Sequence, residues 1–415
     1  MRRFKEFENA EAWEQRRLKN LGETFTGLSG KTKNDFGHGD AKFVTYVNVF
    51  SNPIADSNGT DIVEIDNRQN QVKFGDMLFT TSSETPEEVG MSSVWLENTE
   101  NVYLNSFCFG YRPRVKLDPY YAAFMFRSPK VRKNFILLAQ GISRYNISKN
   151  KVMEMSVPVP NMNEQKKVGE FFTTLDTTIT FHQRKLEKVK ALKTAYLAEM
   201  FPAEGERKPK RRFAGFTDAW EQCRFKDVLD SVDGIRRGPF GSSLKKEVFV
   251  SESDYVVYEQ HNAIYDKYET RYNITQEKFN ELYRFKVSAG DFIMSGAGTI
   301  GRISRVPRGI KQGVFNQALI RMKTNSEITD SEFFLQWMRS DDMQRKLTEA
   351  NPASAMVNLV PMSEVKDWGV TVPCKTEQIA IGTFFRTLDT AITFHQRKLE
   401  KLQNIKSAYL NEMFV

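Results

Sequence analysis

Cysteine and histidine are scarce in this 415-residue chain, and their scarcity removes several kinds of chemistry. The three cysteines, Cys108, Cys223 and Cys374, are odd in number, far apart and free of CxxC spacing, so neither a disulfide framework nor a zinc site is indicated. A reducing, intracellular compartment fits. The four histidines, His38, His182, His261 and His395, spell out no Ser-His-Asp or metal-binding arrangement, and we expect no catalytic residue and no metal site. Long apolar runs are also missing: no stretch approaches the roughly 18 residues that a membrane helix needs. The opening MRRFKEFENAEAW lacks the apolar core of a signal peptide. A cytoplasmic protein without a membrane partner is expected.

What is present is enough for two or more packed domains, with 40% hydrophobic and 27% charged residues. The 60 Lys and Arg against 52 acidic residues leave a net charge of +8, which is compatible with a polyanionic partner such as DNA.

The main feature is a repeat. FFTTLDTTITFHQRKLEKVKALKTAYLAEMF, Phe171 to Phe201, returns as FFRTLDTAITFHQRKLEKLQNIKSAYLNEMF, Phe384 to Phe414, with 23 of 31 positions identical. Such identity is a duplication. A looser repeat opens each half: Arg2-Arg3-Phe4, Phe7 and Trp13-Glu14-Gln15 against Arg211-Arg212-Phe213, Phe216 and Trp220-Glu221-Gln222, the first copy carrying two extra residues. The approach to the helix repeats as well, as Val157-Pro158-Val159-Pro160 with Glu164-Gln165 and as Val370-Thr371-Val372-Pro373 with Glu377-Gln378. Asn163 and Thr376 are plausible N-caps. The chain thus divides into a first module at 1–160, a helix at 161–201, a basic linker at 202–212 read as a solvated tether, a second module at 213–373 and a second helix at 374–415.

Each module reads as α+β. In the first, short β-rich runs at Lys42–Val49, Asp61–Ile65 and Val94–Leu96 precede helices at Pro119–Phe126, capped by Asp118, and Pro129–Leu138. In the second, Tyr255–Tyr258, Phe285–Val287, Gly290–Met294 and Val314–Met322 precede a helix from about Asp330 to Glu349. Gly75-Asp76 and Gly290-Asp291 occupy equivalent places.

Within the repeated helix Leu175, Ile179, His182, Leu186, Val189, Lys193, Tyr196 and Met200 alternate spacings of four and three, as do Leu388, Ile392, His395, Leu399, Leu402, Lys406, Tyr409 and Met413. This is a coiled-coil seam, and each helix needs a partner. The fold expected is two tandem mixed α/β modules held apart by two long antiparallel coiled-coil helices with pseudo-two-fold symmetry. Such pairing would set His182 near Lys406 and His395 near Lys193.

Three fragments imitate enzyme motifs. Gly296-Ala297-Gly298-Thr299-Ile300-Gly301 matches GxGxxG, but the residues after it read as a strand rather than a helix. Asp118-Pro119-Tyr120-Tyr121 lacks the second proline of an adenine-methyltransferase loop and reads as a helix start. Glu164-Gln165-Lys166 and Glu206-Arg207-Lys208 supply ExK without a suitably placed Pro-Asp, and are read as surface charges.

The pattern Pro-(x)3-Glu-Gln-(x)5-Phe-Phe-(x)2-Leu-Asp, at Pro160–Asp176 and again at Pro373–Asp389, resembles the repeated regions of type I restriction-modification specificity subunits, as does Phe216-Thr217-Asp218-Ala219-Trp220-Glu221-Gln222. The likeness covers the whole chain, the extra residues of the first opener and the mid-helix Gly169 and Gly382 being departures. It implies two target recognition domains that read the two parts of an interrupted, asymmetric double-stranded DNA sequence. It also implies two modification subunits carrying S-adenosylmethionine, two translocating restriction subunits, and no cofactor in this chain. The residues Leu175, Ile179, Leu186, Tyr196, Leu388, Ile392, Leu399 and Tyr409 would then serve spacing and partner contact.

Base edges are read by Arg and Lys on guanine, Asn and Gln on adenine, and more loosely by Ser and Thr. Candidates in the first module are Lys31, Lys33, Asn34, Thr80, Thr81, Ser82, Ser83, Arg144, Tyr145 and Asn146. In the second they are Arg236, Arg237, Ser242, Gln260, Asn262, Ser295, Thr299, Arg302, Asn316 and Gln317. Two competing classes are a stand-alone DNA-modifying or DNA-cleaving enzyme and a structural adaptor.

Overall fold

The computed structural model describes residues 2–349 and 362–414; residues 1 and 415, and 350–361 within the expected second module, lie outside the described residues. The chain divides into two compact units, one made of residues 1–184 with 396–415 and the other of residues 185–395. Each unit therefore holds part of both long helices, Met162–Glu199 and Lys375–Met413.

In the first unit an antiparallel sheet orders Gly22–Thr26, Cys108–Pro113, Met77–Thr80 and Ser92–Val94, and a mixed sheet orders Thr60–Val63, Phe36–Val44 and Val102–Leu104. The second unit has an antiparallel sheet of Ile235–Arg237, Leu319–Met322, Phe292–Ser295 and Ile303–Arg305. Its mixed sheet orders Phe249–Val250, Asn273–Ile274, Tyr255–Tyr258 and Gln312–Phe315. The repeated Trp-Glu-Gln opener is a strand in both, with Glu14 opposite Val159 and Glu221 opposite Val372.

Several elements differ from the sequence expectation. The run Lys42–Val49 is half strand: Thr45 caps a helix at Tyr46–Ser51, its hydroxyl accepting from the Asn48 amide. Val314–Met322 is two strands split at Asn316–Ala318. Phe285 ends a 3-10 turn rather than starting a strand. The helix expected from Asp330 to Glu349 is two, Ser331–Met338 and Asp341–Glu349, because the Ser340 hydroxyl donates back to the Trp337 carbonyl and two aspartates open the next helix. Asn161, not Asn163, caps the first long helix, accepting from the Glu164 amide at 2.9 Å; Thr376 lies inside the second.

The repeated sequence motifs are one anchor built twice. Glu164, read from sequence as a surface charge, is 1% exposed and takes both arms of Arg3 at 2.7 and 2.5 Å; Glu377 takes Arg212 at 2.8 and 2.6 Å. The neighbouring glutamine closes the loop before the helix: Gln165 donates to the Pro160 carbonyl and accepts from the Asp118 amide. Gln378 does the same with Pro373 and Asp330. Those aspartates in turn cap Pro119–Met125 and Ser331–Met338. The spacing Pro-(x)3-Glu-Gln is thus the reach from a helix start to the strand end and to a neighbouring helix cap.

The linker is docked rather than loose. Arg207 donates to the Trp220 carbonyl, Arg211 pairs with Glu199, and Arg212 holds Glu377.

The seam pattern matches burial, since all sixteen seam positions are buried or half-buried. In the first unit Phe171 meets Tyr409 and Asp176 pairs with Lys406 at 2.5 Å; in the second Phe384 meets Tyr196 and Asp389 pairs with Lys193 at 2.6 Å. Rising numbers on one helix meet falling numbers on the other, so the segments run antiparallel. Lys406 and Lys193 end on carboxylates, partners that the seam pattern alone does not name. Aromatic residues after the seam complete each core. Phe414 packs on Trp13, Tyr121 and Phe172, and Phe201 on Trp220, Phe333 and Phe385.

Gly169 and Gly382 are required by close approach. A Cβ on Gly169 would lie 2.8 Å from the Tyr121 amide nitrogen and 2.9 Å from the Asp118 carboxylate; on Gly382 it would lie 2.7 Å from both the Phe333 nitrogen and the Asp330 carboxylate. Gly169→Ala and Gly382→Ala, though they raise helix propensity, are each expected to destabilise the protein by about 1–3 kcal/mol in urea unfolding, the cost of forced repacking.

Candidate nucleic-acid interface

The Gly-Asp pair shared by both units is a structural fixture that aims the loop after it. Gly75 and Gly290 take φ of 83° and 90°, and the following aspartate turns back to accept from the Lys73 or Ser288 amide. Asp76 then receives Arg112 at 2.8 and 2.6 Å, and Asp291 faces Arg321 at 3.9 Å. Burial pushes both carboxyls above the usual carboxylate range, against the pull of the arginines and the backbone hydrogen bonds. Six residues beyond each aspartate a carbonyl is tied to the first residue of a short helix: Tyr46 donates to Ser82 at 2.6 Å, and Gln260 donates to Ala297. The two loops are therefore held in the same way and carry different side chains.

In the first unit two of the three candidate segments come together. Tyr145–Asn146 pairs antiparallel with Ser82–Ser83, which brings Arg144, Tyr145 and Asn146 beside Thr81, Ser82 and Ser83. Thr80 and Ser83 are buried and structural, the one accepting from the Met91 amide and the other donating to the Thr85 carbonyl. Arg144 and Asn146 are exposed. The third segment belongs to the other sheet: Lys31 is drawn onto Asp66 at 3.2 Å, while Lys33 and Asn34 are exposed.

In the second unit a larger set converges. Arg237 donates to the Gln317 carbonyl at 3.4 Å, the Gly238 amide to the Leu319 carbonyl, and the Gly296 amide to the Ala318 carbonyl. Gln260 reaches the Ala297 and Thr299 carbonyls. Ser242, Thr299, Arg302 and Gln317 are exposed, and Asn316 is half-buried with its side chain accepting from the Ala318 amide.

Three assignments carry structural duties instead. Asn262 is fully buried, donating to the Lys267 and Glu269 carbonyls and accepting from the Glu259 amide. Ser295 is buried against Arg302 backbone. Arg236 is bound to Asp233; burial raises that carboxyl, but hydrogen bonds from Arg321 and Arg236 hold it well below the usual carboxylate range. The GxGxxG segment is a hairpin turn joining the antiparallel strands Phe292–Ser295 and Ile303–Arg305, with the Gly301 amide donating to the Ser295 carbonyl.

Sequence reasoning missed a cleft of about 330 Å³ in the first unit, lined by Tyr46, Phe50, Ser82, Ser83, Glu84, Glu88, Phe107 and Arg144. Reading Tyr46 as part of a strand hid its pairing with Phe50 four residues on, although Thr45 is an ordinary helix cap. Among the described residues no group of three or more His, Cys, Asp or Glu could hold a metal, and no helix is long and apolar enough to cross a membrane.

One scaffold built twice, with the same buried anchors and different side chains on the corresponding loops, defines a protein with two recognition modules. Residues 10–191 and 218–404 each match the type I restriction modification DNA specificity domain. The chain belongs to that family, whose specificity subunit is the non-catalytic part of the type I enzyme complex. It is 21% identical to the putative type I restriction enzyme MjaX specificity subunit of Methanocaldococcus jannaschii, over 97% of this chain and 92% of that one. It is 18% identical to the MjaVIII specificity subunit of the same organism, over 86% and 82%. Its fold is shared with the S subunit of a type I restriction-modification system from M. genitalium, at a TM-score of 0.59 and 14% identity, covering 98% of this chain and 97% of that one. A chain described in work on complex assembly and conformational transition of the type I system gives 0.53 at 14% identity, with 97% of both covered.

Asn262→Ala is expected to lower stability by about 1–2 kcal/mol in urea unfolding, because it leaves the half-buried Glu259 amide without its acceptor and removes the side-chain bonds to the Lys267 and Glu269 carbonyls, and to leave the DNA sequence selected unchanged.

Proposed function

We propose that this chain reads an interrupted, asymmetric DNA sequence, each unit taking one half-site. The observation that carries this reading is the equivalence of the Ser82 and Ala297 loops, fixed by matching contacts yet different in chemistry. A scaffold conserved between two copies while its exposed loops diverge suits two different targets. In the first unit Arg144, Tyr145, Asn146, Thr81 and Ser82 would face DNA, with Lys33 and Asn34 at a second contact. In the second, Arg237, Ser242, Gln260, Thr299, Arg302, Asn316 and Gln317 would do so. The net charge of +8 favours such a partner.

The complex would contain two modification subunits, which bring S-adenosylmethionine and the adenine chemistry, and two translocating restriction subunits, in the cytoplasm. The exposed flanks of the long helices offer a docking surface, with the seam residues Leu175, Ile179, Leu186, Tyr196, Leu388, Ile392, Leu399 and Tyr409 keeping the helices paired. Expressing the chain with its modification subunits and mapping methylated adenines across a genome is expected to give an interrupted motif methylated on both strands. An uninterrupted motif, or turnover by the purified chain alone, would remove this reading.

The length of the helices would set the unread gap. One turn inserted between Leu186 and Lys193 would displace the Lys193–Asp389 pair unless a turn is also inserted between Asp389 and Lys406. The matched double insertion, about 5.4 Å of helix, is expected to lengthen the gap by about one to two base pairs with both half-sites retained. A methylation map with the original gap argues against helix length as the determinant.

A further inference from the structure

The cleft of the first unit has a chemistry unlike the rest of the candidate interface. Tyr46 and Phe50 stack at 6.0 Å, and Phe107, 60% exposed, stands on another side. The three charged residues lining it, Glu84, Glu88 and Arg144, form no ion pair among the described residues. The Tyr46 hydroxyl is raised chiefly by burial, with Glu88 pushing the same way and Arg144 opposing, so both charges act on one wall of the cleft.

Two unpaired carboxylates on a surface that meets DNA are repelled by phosphate. They are drawn instead to a hydrogen-bond donor on the DNA, and in the major groove the donors are the N4 amine of cytosine and the N6 amine of adenine. A guanidinium in the same cleft needs two acceptors side by side, which guanine presents as O6 and N7. A C·G pair offers both together. At the corresponding place in the second unit stand Gln260, Ala297, Gly298 and Thr299, with no carboxylate among them, so the carboxylate demand is confined to one half-site.

We propose that the Glu84–Glu88 carboxylate pair and Arg144 fix one C·G base pair in the half-site read by the first unit, one of the two carboxylates accepting the single cytosine N4 proton that base pairing leaves free and the guanidinium donating to guanine O6 and N7. This rests on the reading that each unit contacts one half-site. Phe107 would cover the cytosine edge and exclude water from those contacts.

The test uses the full chain with its modification subunits and compares methylation maps of the parent, the isosteric Glu84→Gln/Glu88→Gln double variant and Arg144→Ala. The parent is expected to require a C·G pair in one half-site. Both variants are expected to relax that same position, with discrimination against T·A falling about tenfold or more, and to leave the other half-site unchanged. If a variant no longer methylates, anisotropy binding of its complex to duplexes carrying C·G or T·A at that position decides: lost discrimination supports the assignment and retained discrimination overturns it. Relaxation at two different positions, in both half-sites, or nowhere also overturns it. If the parent itself shows no interrupted motif, the two-half-site reading fails first, which is a distinguishable result.

Discussion

Each unit is closed by an aromatic side chain that arrives from the far end of a long helix. Phe414 fills the space between Trp13, Tyr121 and Phe172, and Phe201 the space between Trp220, Phe333 and Phe385. Burying a side chain of this size contributes about 1.5–3 kcal/mol, and the surrounding rings add edge-to-face contacts. Everything else in the scaffold serves that closure. The Arg3–Glu164 and Arg212–Glu377 pairs pin the start of each helix against the opener, and the glutamine beside each glutamate ties helix start, strand end and helix cap into one network.

These buried ion pairs specify more than they stabilise. Desolvating a carboxylate and a guanidinium offsets much of their attraction, whereas removing one partner leaves a buried charge. The arrangement therefore penalises any register in which Glu164 lacks Arg3. The Asp176–Lys406 and Asp389–Lys193 pairs act likewise along the seam, and burial depresses the Lys193 amine although Asp389 pulls it back up. With the scaffold so determined, the loops after Thr80 and Ser295 are free to differ.

The scaffold was legible in the sequence because it was written twice. Repetition exposed the long helices, their seam and their antiparallel pairing, and it marked Gly75-Asp76 and Gly290-Asp291 as equivalent. It did not reveal why those residues recur: Glu164 looked like a surface charge until its guanidinium partner, far away in sequence, was brought to it. The candidate interface was legible only in part, because exposure depends on neighbours that local patterns do not name. Asn262 and Ser295 have the residue type of base readers but spend their hydrogen bonds on backbone, while Glu84, Glu88 and Phe107 have the wrong type for a basic DNA surface and line an aromatic cleft with Arg144. Tyr46 was concealed by an apolar run whose helix period began four residues too late to be noticed.

The closure of the first unit by Phe414 has a consequence for the order of events during synthesis. Residues 185–395 are continuous in the chain, so the second unit has all its parts once they have left the ribosome. The first unit, begun earlier, lacks Met413 and Phe414 until synthesis has passed beyond the whole of the second unit, and its Trp13 and Phe172 remain without their partner for that interval. The half made first is the half finished last, and exposed aromatic surface on the nascent first unit is the interval's natural target for chaperones.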